Sequence, residues 1–423
     1  MRLAYVLIVA LWSVVAQAKE SLTVLTAYPE EVVSRFETAF EQAHPDIDVQ
    51  ILWRMPHDAL PYLSQPEQGG VDVYWSATMR TFQALKRQGA WQKLVLADQG
   101  LPTHLGALPL ADRDGFYRAT EMAGYGFAVN PRYLKMHGLP LPGTWQDLAD
   151  KRYQGHLALP VPSKVGFAPM MIDSVLQQYG WDQGWALLAE IVANARPVEA
   201  GSTFVTDILG AGERGIAPTI DFFTASAIAN GAPLQFSYAQ PVAYSPAHIA
   251  ITRASKHSDA ARQFLAFVLS EAGQKLLFHA DIRKLPVRSD VYGAKPADYF
   301  DPFAASLAHP VIYDPETALP RLGLNNAVFD AMFTEHWPRV QALFDRLRQW
   351  EARGGDVAKA QRIRALLTGA PISAEQAHEQ DLQALFAKRG GDANTEAKDR
   401  QWFEAMRKRY DEAEQLLNAA AQL

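Results

Sequence analysis

Short polar side chains recur where apolar runs end. Thr26 and Tyr28 follow Leu22–Leu25, and Ser76 and Thr78 follow Val71–Trp75. Ser163 and Lys164 follow Leu157–Leu159, Ser202 and Thr203 lie in a later turn, and Asp221 ends a run that opens at Gly215. Tyr125 begins the apolar stretch Tyr125–Val129. Hydroxyls, one ammonium and one carboxylate suit recognition of a small polar molecule better than bond-making. Ser163 and Lys164 precede a helix pattern, where free backbone N–H groups favour an anion. Taken singly, each residue is equally well explained as a cap or turn. Their recurrence at equivalent strand ends points to a shared site, because ligands of open parallel sheets sit at that edge.

Motifs for other chemistry fail in context. Gly210-Ala211-Gly212-Glu213-Arg214-Gly215 has dinucleotide-fingerprint spacing, but that chemistry needs a strand before it and a helix after it. Here the following residues read as a strand. No nucleophile elbow, zinc-protease helix or Walker loop occurs. The eleven histidines form no His-x-x-x-His pair, and His248, beside a strand, reads as a packed or surface residue. The expectation is a binding protein that is not an enzyme and has neither cofactor nor metal ligand set.

The elements that would position these groups alternate. Leu22–Thr26, Asp48–Trp53 and Val71–Trp75 read as strands, and Val32, Val33, Phe36 and Phe40 lie on one helix face. Further strands are expected at Tyr125–Val129, Leu157–Leu159, Gly215–Phe223 and His248–Thr252. Helices are expected from Trp145, capped by Thr144, over Pro169–Tyr179, and as one long element carrying Phe264 through Leu277. Strands alternating with helices imply crossover units and a mainly parallel sheet covered on both faces. Beyond Leu319 helical periodicity takes over, with a Ser373–Gln376 capping box, breaks at Gly354-Gly355 and Gly390-Gly391, and a last helix from Glu396 to Leu423. The stripe Trp402, Phe403, Met406 and Tyr410 needs covering, so this region is expected to pack on the rest.

Address and composition narrow the class. Arg2, the apolar run Leu3–Val15 and Ala16-Gln17-Ala18 have the order of a secretory leader, with a mature start at Lys19. The chain has no cysteine, so neither a disulfide framework nor a thiolate site is available. A net charge of −6 argues against a nucleic-acid partner.

Several segments together resemble a family. They are Leu22-Thr-Val-Leu-Thr-Ala-Tyr-Pro-Glu-Glu, Val71-Asp-Val-Tyr-Trp-Ser, Gly124-Tyr-Gly-Phe-Ala-Val-Asn, Thr144-Trp-Gln-Asp-Leu, Ala158-Leu-Pro-Val-Pro-Ser and Phe264-Leu-Ala-Phe-Val-Leu-Ser-Glu-Ala-Gly-Gln. Across about residues 20–290 the chain resembles periplasmic substrate-binding proteins of ABC transporters, in the ferric-iron-like branch. The resemblance implies an α/β, two-lobe periplasmic-binding-protein-like (type II) fold with a helical C-terminal extension. The expected division is a leader at 1–18, a first lobe at 19–125 and 250–320, a second lobe at 126–249 and the extension at 321–423. It also implies a periplasmic monomer that closes on its ligand.

For the ligand, the resemblance offers two directions. Iron-binding members carry adjacent tyrosines where this chain has Ile220-Asp221-Phe222-Phe223, and phenylalanine cannot coordinate a ferric ion. Members that bind phosphoglycerate or hexose phosphates look closer. By that likeness Ser163 and Lys164 sit in the phosphate loop and Asp221 recognises hydroxyls, with Ser163-Lys164-Val165-Gly166 standing where relatives often have Ser-Arg-Ser-Gly. The implied partners are an organophosphate and either an inner-membrane ABC permease or a sensor kinase. A ferric-iron or metal-chelate cargo is the alternative.

Overall fold

The computed structural model describes residues 19–96, 100–201, 204–387 and 393–420. The expected leader, Ser202, Thr203 and the Gly390-Gly391 break lie outside the described residues.

Ten strands share one sheet: β1 (Glu20–Thr26), β2 (Ile47–Trp53), β3 (Val73–Ser76), β4 (Arg118–Val129), β5 (Leu157–Pro160), β6 (Ala195–Val198), β7 (Ile216–Ile220), β8 (Gln235–Tyr238), β9 (Tyr244–Ile251) and β10 (Leu285–Pro286). Their order is β2-β1-β3-β9-β4-β7-β5-β6, with β8 and β10 also pairing along β4. Strands β1–β3 run parallel in one half of the sheet, and β7, β5 and β6 run parallel in the other. Strand β4 belongs to both. Its first part, Arg118–Gly124, pairs with β9 and β10, and its last part, Tyr125–Val129, pairs with β7 and β8. All its residues are buried, as expected of a strand covered on both faces.

The Gly124-Tyr125-Gly126 motif has a packing reason. A Cβ on Gly126 would lie 2.3 Å from the Ser237 carbonyl oxygen, and one on Gly124 would lie 2.6 Å from the Tyr238 ring. Only glycine lets β8 and Tyr238 approach this closely.

Helices cover both faces: α1 (Glu30–Ala43), α2 (Ala168–Tyr179), α3 (Trp181–Asn194), α4 (Asp221–Ala229), α5 (Ser258–Leu269), α6 (Glu271–Leu276), α7 (Leu322–Met332), α8 (Trp337–Ala352), α9 (Val357–Thr368) and α10 (Ala393–Ala420). Helix α1 buries Val32, Val33, Phe36 and Phe40, each such side chain stabilising by about 1.5–3 kcal/mol. Thr144 caps the short helix Trp145–Ala149 through a full capping box with Asp147.

Two expected elements are corrected. The Gly215–Phe223 strand ends at Ile220, and Asp221 opens α4 instead of closing a strand. An acidic residue in a first helical turn is favoured by the aligned peptide dipoles. The single helix through Phe264 and Leu277 is two helices, because the Ser270 hydroxyl accepts the Gly273 N–H and starts a new one. The expected Ser373–Gln376 capping box is present and opens the short helix Ala374–Ala377.

The Gln274 that ends the Leu-Ser-Glu-Ala-Gly-Gln segment fastens β4. Its side-chain amide donates to the Thr120 carbonyl at 2.8 Å, and its oxygen accepts the Val287 N–H at 2.8 Å.

The C-terminal helices have no core of their own. Leu324, Phe329, Phe333, Trp337, Phe344 and Tyr410 share one apolar cluster with Phe127, Leu159, Ile172 and Trp185 of the second half. The chain enters this cluster at Tyr313. Trp337 Nε1 donates to the Ala195 carbonyl at 2.8 Å, tying α8 to the edge strand β6. Asp173 of α2 is fully buried and accepts from Arg321 Nε (2.6 Å) and Nη2 (3.2 Å), Asn325 Nδ2 (2.7 Å) and Gln177 Nε2 (2.9 Å).

Removing one partner of a buried ion pair strands the other charge, at a cost of about 3–5 kcal/mol. Arg321→Ala is therefore expected to lower unfolding free energy by about that amount in urea denaturation. Arg407→Ala, on the exposed face of α10, should change it by about 0.5 kcal/mol or less.

Candidate functional site

Strand register sets two rows of strand ends opposite each other. Thr26 aligns with Trp75, Ser76 pairs with His248, and His248 pairs with Ala119, so β1 and β3 end level with Ala119 of β4. On the other side, the end of β7 pairs Ile220 with Tyr125. The carboxyl edges of the two parallel sets thus face each other across Thr120–Gly124. At about 3.3 Å per residue, Ala119 to Tyr125 spans about 20 Å. A bulge at this point leaves Thr120 outside the β9 ladder, and such bulges re-aim side chains beside sites.

Four side chains meet at the first-half end of this floor. Glu121, buried within β4, accepts the Tyr28 hydroxyl on one oxygen and the Thr120 hydroxyl on the other. Lys284, also buried, holds its ammonium 4.0 Å from Glu121 and 4.9 Å above the Tyr28 ring. The same ammonium lies 4.6 Å from the ring of Phe222, which belongs to the second half. Burial, and then the Glu121 carboxylate, push the Tyr28 phenol well above its ordinary range, so it stays a donor.

Asp221 occupies the second-half end. Its Oδ2 accepts the Gly124 N–H at 2.8 Å and the Tyr238 hydroxyl at 2.9 Å. Among the described residues its Oδ1 is buried with no hydrogen-bond partner, as are the hydroxyls of Thr219 and Thr224 nearby. Burial raises the Asp221 carboxyl to about 6, against the lowering pull of Gly124, Tyr238 and Lys284. A buried acceptor without a donor is costly, and a ligand hydroxyl or amine would supply the missing bond.

An aromatic bridge leads from this floor to the loop after β5. Phe222 packs on Phe223 with ring centres 4.3 Å apart, and Phe223 meets Phe167 at 5.7 Å. The loop Val161–Phe167 therefore sits beside the start of α4. Within it the Ser163 hydroxyl donates to Asp330 Oδ1 at 3.0 Å, and Lys164 acts electrostatically on that carboxylate.

The remaining sequence candidates have varied surroundings. Thr26 is fully buried and its hydroxyl accepts the Tyr28 N–H at 3.1 Å, a turn-forming contact. Ser76 and Thr78 bond each other at 3.2 Å, and Thr78 also bonds the Tyr74 hydroxyl at 2.6 Å. Tyr125 is buried on β4, where burial raises its phenol. His248 is a core residue packed on Phe82 and Tyr117, and burial lowers its imidazole to about 3, which keeps it neutral.

Sequence reasoning missed Glu121 and Lys284. Glu121 had a signal, an acid inside the otherwise uncharged run Ala119–Val129. Lys284 had none, because its place follows only from β10 pairing with Met122 and Glu121.

Comparison with known proteins agrees with this geometry. The family described as "Bacterial extracellular solute-binding protein" matches residues 71–301. The phosphoglycerate transport regulatory protein PgtC of Salmonella typhimurium is 30% identical over 319 residues, covering 75% of this chain and 77% of its own. Among solved structures, the periplasmic binding protein AfuA from Actinobacillus pleuropneumoniae, with exogenous fructose-6-phosphate bound, is 19% identical at a TM-score of 0.56. That likeness covers 70% of this chain and 92% of AfuA. Iron-bound HitA from Pseudomonas aeruginosa is 20% identical at a TM-score of 0.55, covering 68% and 91%. At these identities the structures establish the fold, which is that of type II periplasmic binding proteins with added C-terminal helices.

The raised Asp221 carboxyl has a thermodynamic consequence. Folded Asp221 binds its proton up to about pH 6, whereas an unfolded aspartate releases it near its ordinary 3.8. This stabilising contribution is complete below about pH 4 and is lost as pH rises through about 6, a swing of about 3 kcal/mol. Asp221→Asn should remove that slope, read as unfolding free energy from pH 4 to 7 in the two proteins.

Proposed function

The chain belongs to the bacterial extracellular solute-binding proteins, and on that premise we propose that it captures a small phosphorylated organic molecule by closing its lobes. The observation that carries this reading is the set of polar groups facing one another over the β4 floor. Among the described residues Asp221 Oδ1 lacks a donor, Lys284 is a buried cation in contact with both halves, and the Ser163–Lys164 loop lies beyond Phe223.

The chemistry divides naturally. The phosphate lies at the loop before α2, where Ser163, Lys164 and the helix start offer donors to an anion. A ligand hydroxyl takes Asp221 Oδ1. Lys284 receives a second anionic or strongly polar group, with Glu121 limiting the charge that it presents. Ser76, Thr78 and Tyr125 are proposed to line the first-half wall and the floor. The lobes are proposed to divide at the expected residues, 19–125 with 250–320 against 126–249, with the extension carried by the second. Closure is stabilised only by contacts that the ligand makes better in the shut state.

The relatives support this ligand class, since one is named for phosphoglycerate transport and another holds a hexose phosphate. Ferric ion, the cargo of other neighbours, finds a poorer donor set. Phe222 and Phe223 have no phenolate, and the Tyr28 and Tyr238 hydroxyls are pushed far up by burial and by the carboxylates to which they donate. Exported to the periplasm, the shut form would be read by an inner-membrane ABC permease or by a sensor kinase.

Calorimetry on protein stripped of co-purified ligand tests the reading. Heat is expected with 3-phosphoglycerate, phosphoenolpyruvate or a hexose 6-phosphate, and none with ferric citrate. Lys284→Gln should weaken the best of these by at least about tenfold, about 1.4 kcal/mol. Silence across the phosphorylated panel from folded protein would defeat the proposal, and a ferric signal would replace it with the iron reading.

A further inference from the structure

The Ser163–Lys164 loop is already engaged by a carboxylate from outside the cleft-forming strands. Asp330 projects from α7, the first long helix of the C-terminal region, and accepts the Ser163 hydroxyl at 3.0 Å. Lys164, the neighbouring cation, acts on the same carboxylate, and the Thr334 hydroxyl donates to it at 2.6 Å. A hydroxyl donor bonded to the oxyanion, with an ammonium acting on it electrostatically from further off, is the kind of setting that a phosphate would need.

We propose that Asp330 is a built-in competitor for the anion loop, whose carboxylate a ligand phosphate must displace to gain Ser163 and Lys164. This rests on the proposed phosphorylated ligand and adds a residue that sets affinity and selectivity. Asp330 accepts where a phosphate would accept, so both cannot hold the Ser163 hydrogen. Its charge also opposes a second anion at the same place.

The competitor is a weak one, which suits its role. Asp330 lines a 420 Å³ groove between α7 and α10 together with Glu335, Asp399 and Arg400. Burial and the Glu335 charge make its ionised form less comfortable, while Thr334, Ser163 and Lys164 offset that. A dianionic phosphate brings more charge and more acceptor oxygens to the loop than one carboxylate does. A neutral or singly charged solute gains less from evicting it, so Asp330 filters for phosphate over weaker anions. Because Asp330 is fixed to α7, its displacement also carries ligand occupancy into the C-terminal helices.

The test compares wild type and Asp330→Asn in full-length protein by calorimetry, using 3-phosphoglycerate, a hexose 6-phosphate and D-glycerate. Asparagine keeps the shape and one acceptor but removes the charge. The variant is expected to bind the tightest phosphorylated probe roughly 5–20-fold more strongly, with D-glycerate changed by less than about twofold. In a Lys164→Gln background the same substitution should give less than about twofold, because the contested cation is gone. Unchanged or weaker phosphate binding by Asp330→Asn, with wild type binding normally, overturns the competitor and leaves the proposed function standing. An equal gain for D-glycerate, or a full gain without Lys164, also overturns it, since a merely structural effect would do either. If Asp330→Asn does not fold, Ser163→Ala decides. It should weaken the phosphorylated probe but lose the α7 hydrogen-exchange response to ligand, and persistence of that response sinks the inference. No binding of any phosphorylated probe by wild type instead overturns the reading beneath it.

Discussion

One strand holds the molecule together, and the site is a consequence of it. Arg118–Val129 supplies ladder hydrogen bonds to strands of both halves, so the two parallel sets can only be arranged on either side of it. The second half joins with its parallel strands running antiparallel to β4, whereas β3, antiparallel to β9 and so twice reversed, runs in the same direction as β4. Both sets therefore end toward the middle of β4. A polar crevice follows from that register alone, because strand ends and helix starts leave backbone groups that need partners. The stretch Thr120–Gly124 becomes its floor, and the amide of Gln274 clamps that floor to the first half.

Most of the framework was legible in the chain. Phe36 and Phe40 at helical spacing, the Thr144–Asp147 capping box and the apolar runs at Leu22 and Leu157 are local signals, and each element formed where its signal lies. The errors arose where a local signal was ambiguous. Ile216–Phe223 is apolar apart from Thr219 and Asp221 and gives no period, so only the acid at Asp221 hinted that a helix begins there. Ser270 reads as an interior residue of a long helix until its hydroxyl is seen capping the next one.

The site was less legible, for a different reason. Asp221 and Tyr28 stand at strand ends, where a one-dimensional rule can find them. Lys284 is near Glu121 only because a two-residue strand lays it beside Met122 and Glu121, more than 150 residues away in the chain. No spacing rule encodes that juxtaposition. Thr26 shows the opposite failure, since its position was right but its hydroxyl was already committed to the Tyr28 amide. Strand-end position finds the neighbourhood, and hydrogen-bond accounting decides which members are free.

The C-terminal helices alter how such a molecule can move. Their apolar faces and those of α2 and α3 form one cluster, and the buried Asp173–Arg321 pair joins them at its centre. Separating them would expose Trp337, Phe344 and Tyr410 and strand a buried charge, so second half and extension travel as one body. In the proposed closure, relative motion would fall on the two places where the chain crosses between the halves, within β4 and between β8 and β9, and Gly124 of the first has no side chain to resist a change in backbone angle. The groups that contact both halves, Lys284 over Phe222 and Asp221 on the Gly124 amide, sit at this crossing. Under the proposed function, a ligand that satisfies Asp221 and Lys284 together would act where a small rotation moves the distant ends of both halves furthest. In the proposed closure the extension would enlarge the moving body on one side only, and so convert that rotation into displacement of a surface far from the strand ends.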